Sequence, residues 1–199
     1  MTTSDRRETL VLAYDHAAEV AAGVDMNQLH LATACPDYDV AALIDHLVGA
    51  GQRAVELGRG QTPSGDEFPH VELADAPDLL RQAAKDAQAA WADDTRLGAT
   101  TTMPWGETYT GSTLVDMYLT ELATHSWDLA AATGQLDRLD SDLAASALDA
   151  ARSMLKPEYR NQLGEGSPFG AEVDAPAEAT PWERLAAFMG RQPRPSVTE

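Results

Sequence analysis

One segment of the chain, residues 112–134, combines the apolar periodicity of a buried helix with charged residues on its apolar face. At about 100° per residue, four large side chains share one stripe of such a helix: Leu114, Tyr118, Leu122 and Leu129. Glu121 and His125, one helical turn apart, lie in the middle of that stripe. An uncompensated carboxylate in a core is strongly destabilising, so Glu121 has to be paired, neutralised or bound to a cation. This segment therefore predicts a core helix that carries a polar site.

The same segment carries signals for its ends and a third polar residue. Ser112 or Thr113 is a suitable N-cap, and Gly134 is a suitable residue to end the helix. Asp128 lies at the edge of the apolar stripe, where three interpretations stay open. It could be a fourth metal ligand, an acceptor that orients a histidine ring, or a carboxylate on the rim of the core.

Further segments with helical periodicity begin after capping residues and end near glycine or proline. They run over residues 4–22, from Asp37 or Asp39 to about 58, from Asp75 or Asp78 to 91, over 140–155, and over 180–190. Residues 99–110 carry β-branched residues on both sides of Pro104-Trp105-Gly106, which is typical of a short β-hairpin. Amphipathic helices joined by loops, with one hairpin between them, predict a mainly α fold of the helical-bundle class. We expect a single domain over residues 1–199, with residues 164–199 as a loop-rich C-terminal extension packed on the bundle.

The composition of the chain excludes several classes of function. The formal net charge is −18, and only two lysines, Lys85 and Lys156, occur. A protein that binds nucleic acid or an anionic membrane needs clustered basic residues, so neither partner is expected. A single cysteine, Cys35, excludes an internal disulfide and a cysteine-rich zinc site. Because the N-terminal residues lack a signal-peptide pattern and no apolar run is long enough for a membrane span, we expect a cytoplasmic protein.

A Glu and a His four residues apart on one helix can both reach the same metal ion. A catalytic zinc site usually has three protein ligands and an open position, so a third ligand has to come from elsewhere. The other histidines of the chain are His16, His30, His46 and His70. His30 and His70 lie in polar loops, whereas His16 and His46 lie at the edges of helical stripes. From the residues alone, a buried Glu121–His125 ion pair remains an alternative to a metal site.

Three stretches of the chain resemble a known family. Residues 33–40 read TACPDYDV and run into LIDHLVG at residues 43–49, while residues 119–134 read LTELATHSWDLAAATG. The segment 33–49 is similar to the first signature of the mycothiol-dependent maleylpyruvate isomerase-like proteins of the DinB/YfiT-like superfamily, and the segment 119–134 is similar to the second. Residues 169–191 resemble the C-terminal segment of the small, single-domain, actinobacterial metal-binding branch. The resemblance covers the chain from about Leu10 to Pro193.

The resemblance implies a DinB-like four-helix bundle with a small β-hairpin and a short C-terminal helical segment. It also implies a divalent metal, usually zinc, held by a His, a Glu and a second His. The matching positions in this sequence are His46, Glu121 and His125, which makes His16 a bystander. Mycothiol and an electrophilic substrate are the partners that the resemblance implies, and bundles of this superfamily often pair as homodimers.

Two departures from the family pattern bear on these expectations. The isomerase carries a further C-terminal domain that this sequence is too short to contain in full, so its thiol- and substrate-binding residues are not carried over. Ala34 and Tyr38 stand where relatives commonly have Pro and Trp, and both changes are interpreted as structural. Cys35, in an apolar setting before a helix, is expected to pack rather than to act as a nucleophile.

Three functions stay open at this stage. The first is a metal- and thiol-dependent isomerase or S-transferase, whose site could instead activate water for hydrolysis. The second is a non-catalytic, structural or stress-linked metal-binding module whose coordination is closed by Asp128 or another residue. The third is a metal-free bundle held by a Glu121–His125 pair. No catalytic residue is assigned from the sequence.

Overall fold

The computed structural model of the chain describes residues 5–63, 68–155 and 170–193. Its helices are α1 Arg7–Ala22, α2 Val40–Gly58, α3 Ala76–Ala90, α4 Thr95–Gly98, α5 Gly111–Thr133, α6 Ser141–Met154 and α7 Pro181–Phe188. Two strands, β1 Thr100–Thr102 and β2 Thr108–Thr110, lie between α4 and α5. The mainly α class predicted from the sequence is therefore confirmed. Pro157, the proline that follows the helix predicted over residues 140–155, lies outside the described residues, as do residues 164–169 and 194–199 of the predicted extension.

Helices α1, α2, α3 and α5 form the four-helix bundle. Helix α1 packs on α3 and α5, and α2 packs on the same two helices, so α1 and α2 lie on a diagonal. Outside this bundle, α6 packs on α5, and the short C-terminal helix α7 packs on α6 and α5. The predicted DinB-like bundle with a hairpin and a short C-terminal helix is confirmed by this arrangement.

Helix α5 is buried on both sides because the bundle covers one side while α6 and α7 cover the other. This double cover explains why its sequence does not show a polar outer face. Asp128 is fully buried rather than placed on the rim of the core, so the rim interpretation is excluded. The N-cap is Thr110, whose hydroxyl accepts a hydrogen bond from the Thr113 amide, and the predicted caps Ser112 and Thr113 lie inside the helix.

The predicted hairpin is present between α4 and α5. Its strands are antiparallel, with Thr100 opposite Thr110 and Thr102 opposite Thr108. The turn contains Gly106 at φ +96°, and the Trp105 side chain next to it is about half exposed. The hairpin leads directly into α5, because β2 ends at Thr110 and the helix begins at Gly111.

None of the helices within the described ranges is both long enough and apolar enough to cross a lipid bilayer.

We expect the substitution Gly134→Ala to lower the free energy of unfolding by about 1 kcal/mol. Gly134 caps α5 at φ +75°, and no atom would contact an added Cβ within 4 Å, so the penalty is backbone strain alone. Gly98→Ala is the matched control, because that position is equally open but has an ordinary φ. Urea unfolding of both variants checks this prediction, and equal stability of the two would contradict it.

Candidate metal centre

The three residues predicted as metal ligands come together between two facing helices. His46 lies on α2, and Glu121 and His125 lie one turn apart on α5. The His46 Nε2 atom is 2.7 Å from Glu121 Oε1, and the His125 Nε2 atom is 3.5 Å from the same oxygen. One ligand atom from each of the three residues lies within 4.8 Å of the other two. Two imidazole nitrogens and a carboxylate oxygen therefore converge on one small volume.

The three side chains differ in their access to solvent. About a fifth of the Glu121 side chain is exposed, at 22%, compared with 12% for His46 and 4% for His125. The cluster thus opens to solvent on the Glu121 side and is closed behind His125. An approaching ligand would meet the carboxylate side of the cluster first.

Strong mutual electrostatics hold this cluster together without a metal. Burial alone would raise the pKa of the Glu121 carboxyl, but the charge of His125 and the hydrogen bonds from both histidines hold it well below its ordinary value. Burial alone would lower the pKa of His125, but Glu121 and Asp128 together raise it to about 9. The metal-free cluster therefore contains a carboxylate and an imidazolium, and a metal bound through His125 Nε2 would have to displace the proton there.

Asp128 fixes the orientation of the His125 ring from behind. His125 Nδ1 donates to Asp128 Oδ2 at 2.9 Å, which leaves Nε2 as the nitrogen that faces Glu121. Arg191, just beyond α7, donates from Nε to Asp128 Oδ1 at 3.2 Å and from Nη2 to Asp128 Oδ2 at 3.0 Å. Burial would raise the pKa of Asp128, but His125 and Arg191 lower it below its usual range. Of the interpretations left open for Asp128, the geometry supports the acceptor that orients a histidine ring.

Comparison with known proteins assigns the chain to a family. The family model described as "Mycothiol maleylpyruvate isomerase N-terminal domain" matches residues 10–130, more than half of the chain and a range that includes His46, Glu121 and His125. The chain belongs to this family. The family name links it to mycothiol, and the resemblance stated from the two signatures is confirmed.

Two curated relatives extend this match along most of the chain. They are the uncharacterized protein Rv0738 of Mycobacterium tuberculosis (strain ATCC 25618 / H37Rv) and the uncharacterized protein MT0763 of Mycobacterium tuberculosis (strain CDC 1551 / Oshkosh). Each is 36% identical over 186 residues, which cover 92% of this chain and 95% of the relative. No solved structure shows a significant match to the chain.

A second group of potential ligands lies behind the first and shares His125 with it. Cys35, His125 and Asp128 each offer a ligand atom within 4.8 Å of the other two. Burial raises the pKa of the Cys35 thiol, which keeps it protonated at neutral pH. A cation here would also face the guanidinium of Arg191, which already binds both oxygens of Asp128. Among the described residues, the cluster of His46, Glu121 and His125 is therefore the one suited to a metal.

The remaining histidines lie outside this cluster, as expected. His16 is half-buried on α1, and His30 is exposed. The His70 side chain is 70% exposed and hydrogen-bonds Asp45 through Nδ1 at 3.1 Å. None of the three belongs to a group of converging ligands among the described residues.

Three residues around the cluster had no functional role in the sequence analysis. Arg191 supplies the buried cation on Asp128, and Tyr38 and Phe68 place aromatic rings against His46. A buried carboxylate signals that a cation is needed, but it does not say which of the arginines supplies it. Arg191 is 63 positions away along the chain, and Phe68 lies in a segment without regular secondary structure.

Proposed function

We propose that this protein is a zinc-dependent enzyme that activates a low-molecular-weight thiol, with mycothiol as the thiol indicated by its family. His46, Glu121 and His125 would hold the metal. The observation that carries this proposal is the convergence of two imidazole nitrogens and one carboxylate oxygen within 4.8 Å of one another. Catalytic zinc sites use such sets of about three protein ligands and keep a further position open. Nickel or iron would accept the same ligands, and metal supply in the cell decides among them.

The residues present fit a divalent cation. His125 is held in the tautomer that presents Nε2 to the cluster, because its Nδ1–H is bound by Asp128. Glu121 supplies a negative charge, and the two imidazoles supply nitrogen ligands once His125 has given up its proton, a set that suits a doubly charged ion. Asp128 lies behind His125, and its negative charge is already balanced by Arg191.

The partners of Asp128 also argue against a closed, purely structural site. Closing the coordination would require a fourth protein ligand, either Asp128 or another residue, and no other described residue joins the His46–Glu121–His125 group. Its Oδ2 already accepts from His125 and Arg191, and its Oδ1 accepts from Arg191. An open position for a ligand from solvent is therefore the better interpretation of the site.

When bound, zinc supplies a positive charge that stabilises a thiol as its reactive thiolate at neutral pH. The reactions served by this chemistry are addition to an activated double bond with cis–trans isomerisation, and S-transfer when the thiol stays attached. Glu121, the most exposed of the three ligands, marks the side where thiol and electrophile enter. His125 and the Asp128–Arg191 pair keep the opposite side fixed and closed to water.

Cobalt substitution tests this proposal directly. We expect the Co²⁺-loaded protein to develop a sulfur-to-cobalt charge-transfer band in the near ultraviolet when mycothiol is added. The alcohol analogue of the thiol and the Glu121→Gln variant are the controls, and neither should give the band. A cobalt-loaded protein whose spectrum does not change when thiols are added would contradict thiol activation. Failure of the protein to bind cobalt would contradict the metal site itself.

The homodimer, the cytoplasmic location and the single-domain organisation expected from the sequence stay predictions.

A further inference from the structure

We infer that Tyr38 and Phe68 are positioning residues for the His46 ring. Asp128 orients the His125 ring by a hydrogen bond, whereas these two residues orient the His46 ring by packing against it. This inference rests on the proposed metal-binding function of the cluster. It concerns two aromatic residues to which neither the family match nor the ligand pattern gives a role.

The two histidines of the cluster are held in different ways. His125 donates its Nδ1–H to the buried carboxylate of Asp128 at 2.9 Å. The Nδ1 atom of His46 is also buried, but it has no hydrogen-bond partner among the described residues. A metal-binding histidine ordinarily uses its second ring nitrogen to fix the orientation of the ring. His46 lacks this restraint, so something else has to keep its Nε2 aimed at Glu121.

Two aromatic rings enclose His46 from different directions. The Tyr38 ring lies over it with a centroid distance of 4.7 Å and an interplanar angle of 30°. The Phe68 ring meets it edge-on, at a centroid distance of 5.2 Å and an angle of 81°. Rotation of the imidazole would drive it into one of these rings, because close-packed side chains leave no free volume. The Tyr38 ring also meets the His125 ring edge-on, at a centroid distance of 6.2 Å, and so packs against both histidines of the cluster.

The loop before α2 fixes the position of Tyr38. The Thr33 hydroxyl lies 2.7 Å from the Tyr38 carbonyl oxygen and also accepts a hydrogen bond from the Cys35 amide at 3.1 Å. An isolated β-bridge joins Ala32 to Asp39, and Asp39 caps α2 by accepting from the Ala42 amide. The first family signature thus forms a compact turn that presents Tyr38 to His46.

A notch in α2 receives the Phe68 ring. Gly49 lies one helical turn after His46, and a Cβ added there would come within 2.0 Å of Phe68 Cδ1. Only glycine leaves room for the ring at this depth. The guanidinium of Arg53, one turn further on, lies 4.6 Å from the ring centroid. Three residues beyond Phe68, the Val71 amide donates to Asp45 Oδ1 at 2.8 Å, which ties this segment to α2.

The zinc affinity of Tyr38→Ala, Phe68→Ala and Gly49→Ala, measured by competition with a chromogenic chelator, tests this inference. Gly49→Ala keeps Phe68 in the chain but fills the space in α2 that its ring occupies. We expect each substitution to weaken zinc binding by about 10–100-fold, the range seen when an orienting partner of a ligand is lost. Tyr38→Phe and Tyr38→Trp keep a ring over His46 and should retain affinity close to that of the wild type. Trp105→Ala, which removes an exposed aromatic side chain from the hairpin, is the control.

A change in the ligand-field spectrum of the cobalt form should accompany the loss of affinity, because a misplaced His46 alters the coordination geometry. Tyr38→Leu and Phe68→Leu keep apolar bulk without a ring and replace any alanine variant that does not fold. Wild-type zinc binding together with unchanged affinity in all the ring-deleting variants would overturn the inference while the proposed function stands. Absence of zinc binding in the wild type would instead overturn the proposed function, and this inference with it.

Discussion

Replacing Glu121 by glutamine should abolish tight metal binding while the helical bundle remains folded. Glutamine has nearly the same shape and can still accept a hydrogen bond from His46, so the packing between α2 and α5 is preserved. It lacks the negative charge that makes the Glu121 carboxylate a strong ligand for a divalent cation. We expect the loss of zinc affinity to exceed the roughly 10–100-fold penalty for losing an orienting partner of a ligand.

Chelator competition measures the zinc affinity of this variant, and circular dichroism measures its helical content and thermal unfolding without metal. Glu19→Gln is the matched control, since it removes the same charge from an exposed position on α1. The control should bind zinc as the wild type does. Wild-type affinity in Glu121→Gln would show that Glu121 is not a metal ligand and would leave the buried ion pair as its role.

Replacing Asp128 by alanine should be among the most destabilising changes in the described part of the chain. Arg191 would keep a buried guanidinium, with only 4% of its side chain exposed, but would lose its carboxylate partner. Removal of one member of a buried ion pair typically lowers stability by about 3–5 kcal/mol. The His125 ring would also lose the acceptor that orients it, so zinc affinity should fall by about 10–100-fold.

Urea unfolding of the metal-free variants separates these effects from metal binding. Asp78→Ala is the matched control, because it breaks a surface pair with Arg81 whose side chains are 87% and 47% exposed. It should change stability by no more than about 1 kcal/mol. The double variant Asp128→Leu/Arg191→Met should recover much of the lost stability, since it removes both charges of the buried pair together. A similar small effect of Asp78→Ala and Asp128→Ala would contradict the role assigned to the buried pair.

Much of the fold could be predicted because the signals for it are local. The 3.6-residue periodicity located six of the seven α-helices in the described ranges, and it missed only the four-residue α4. The threonine-rich run around Pro104-Trp105-Gly106 located the hairpin. The placement of Glu121 and His125 on one face of α5 followed from their spacing alone. The pairing of His46 with them came from the family resemblance, because periodicity does not say which helices face each other.

The features that escaped prediction depend on contacts between distant parts of the chain. Asp128 was placed at the edge of an apolar stripe, and it is buried because α6 and α7 cover the second side of α5. Its partner Arg191 lies in the C-terminal segment, where no local pattern indicates a buried charge. The packing of the Phe68 ring on Gly49 is a contact between a helix and an irregular segment, and no local sequence pattern indicates that these two residues meet.

The most direct test of a metal ion held by His46, Glu121 and His125 is elemental analysis of protein purified without a metal-affinity tag, with wild type and His125→Ala side by side. We expect about one zinc or similar divalent ion per wild-type chain, and none in the variant while its helical content survives. A wild-type protein that holds no metal, even after zinc is offered and the excess removed, would rule out the metal site. Glu121 and His125 would then be a structural pair in a bundle that shares only the fold of its family.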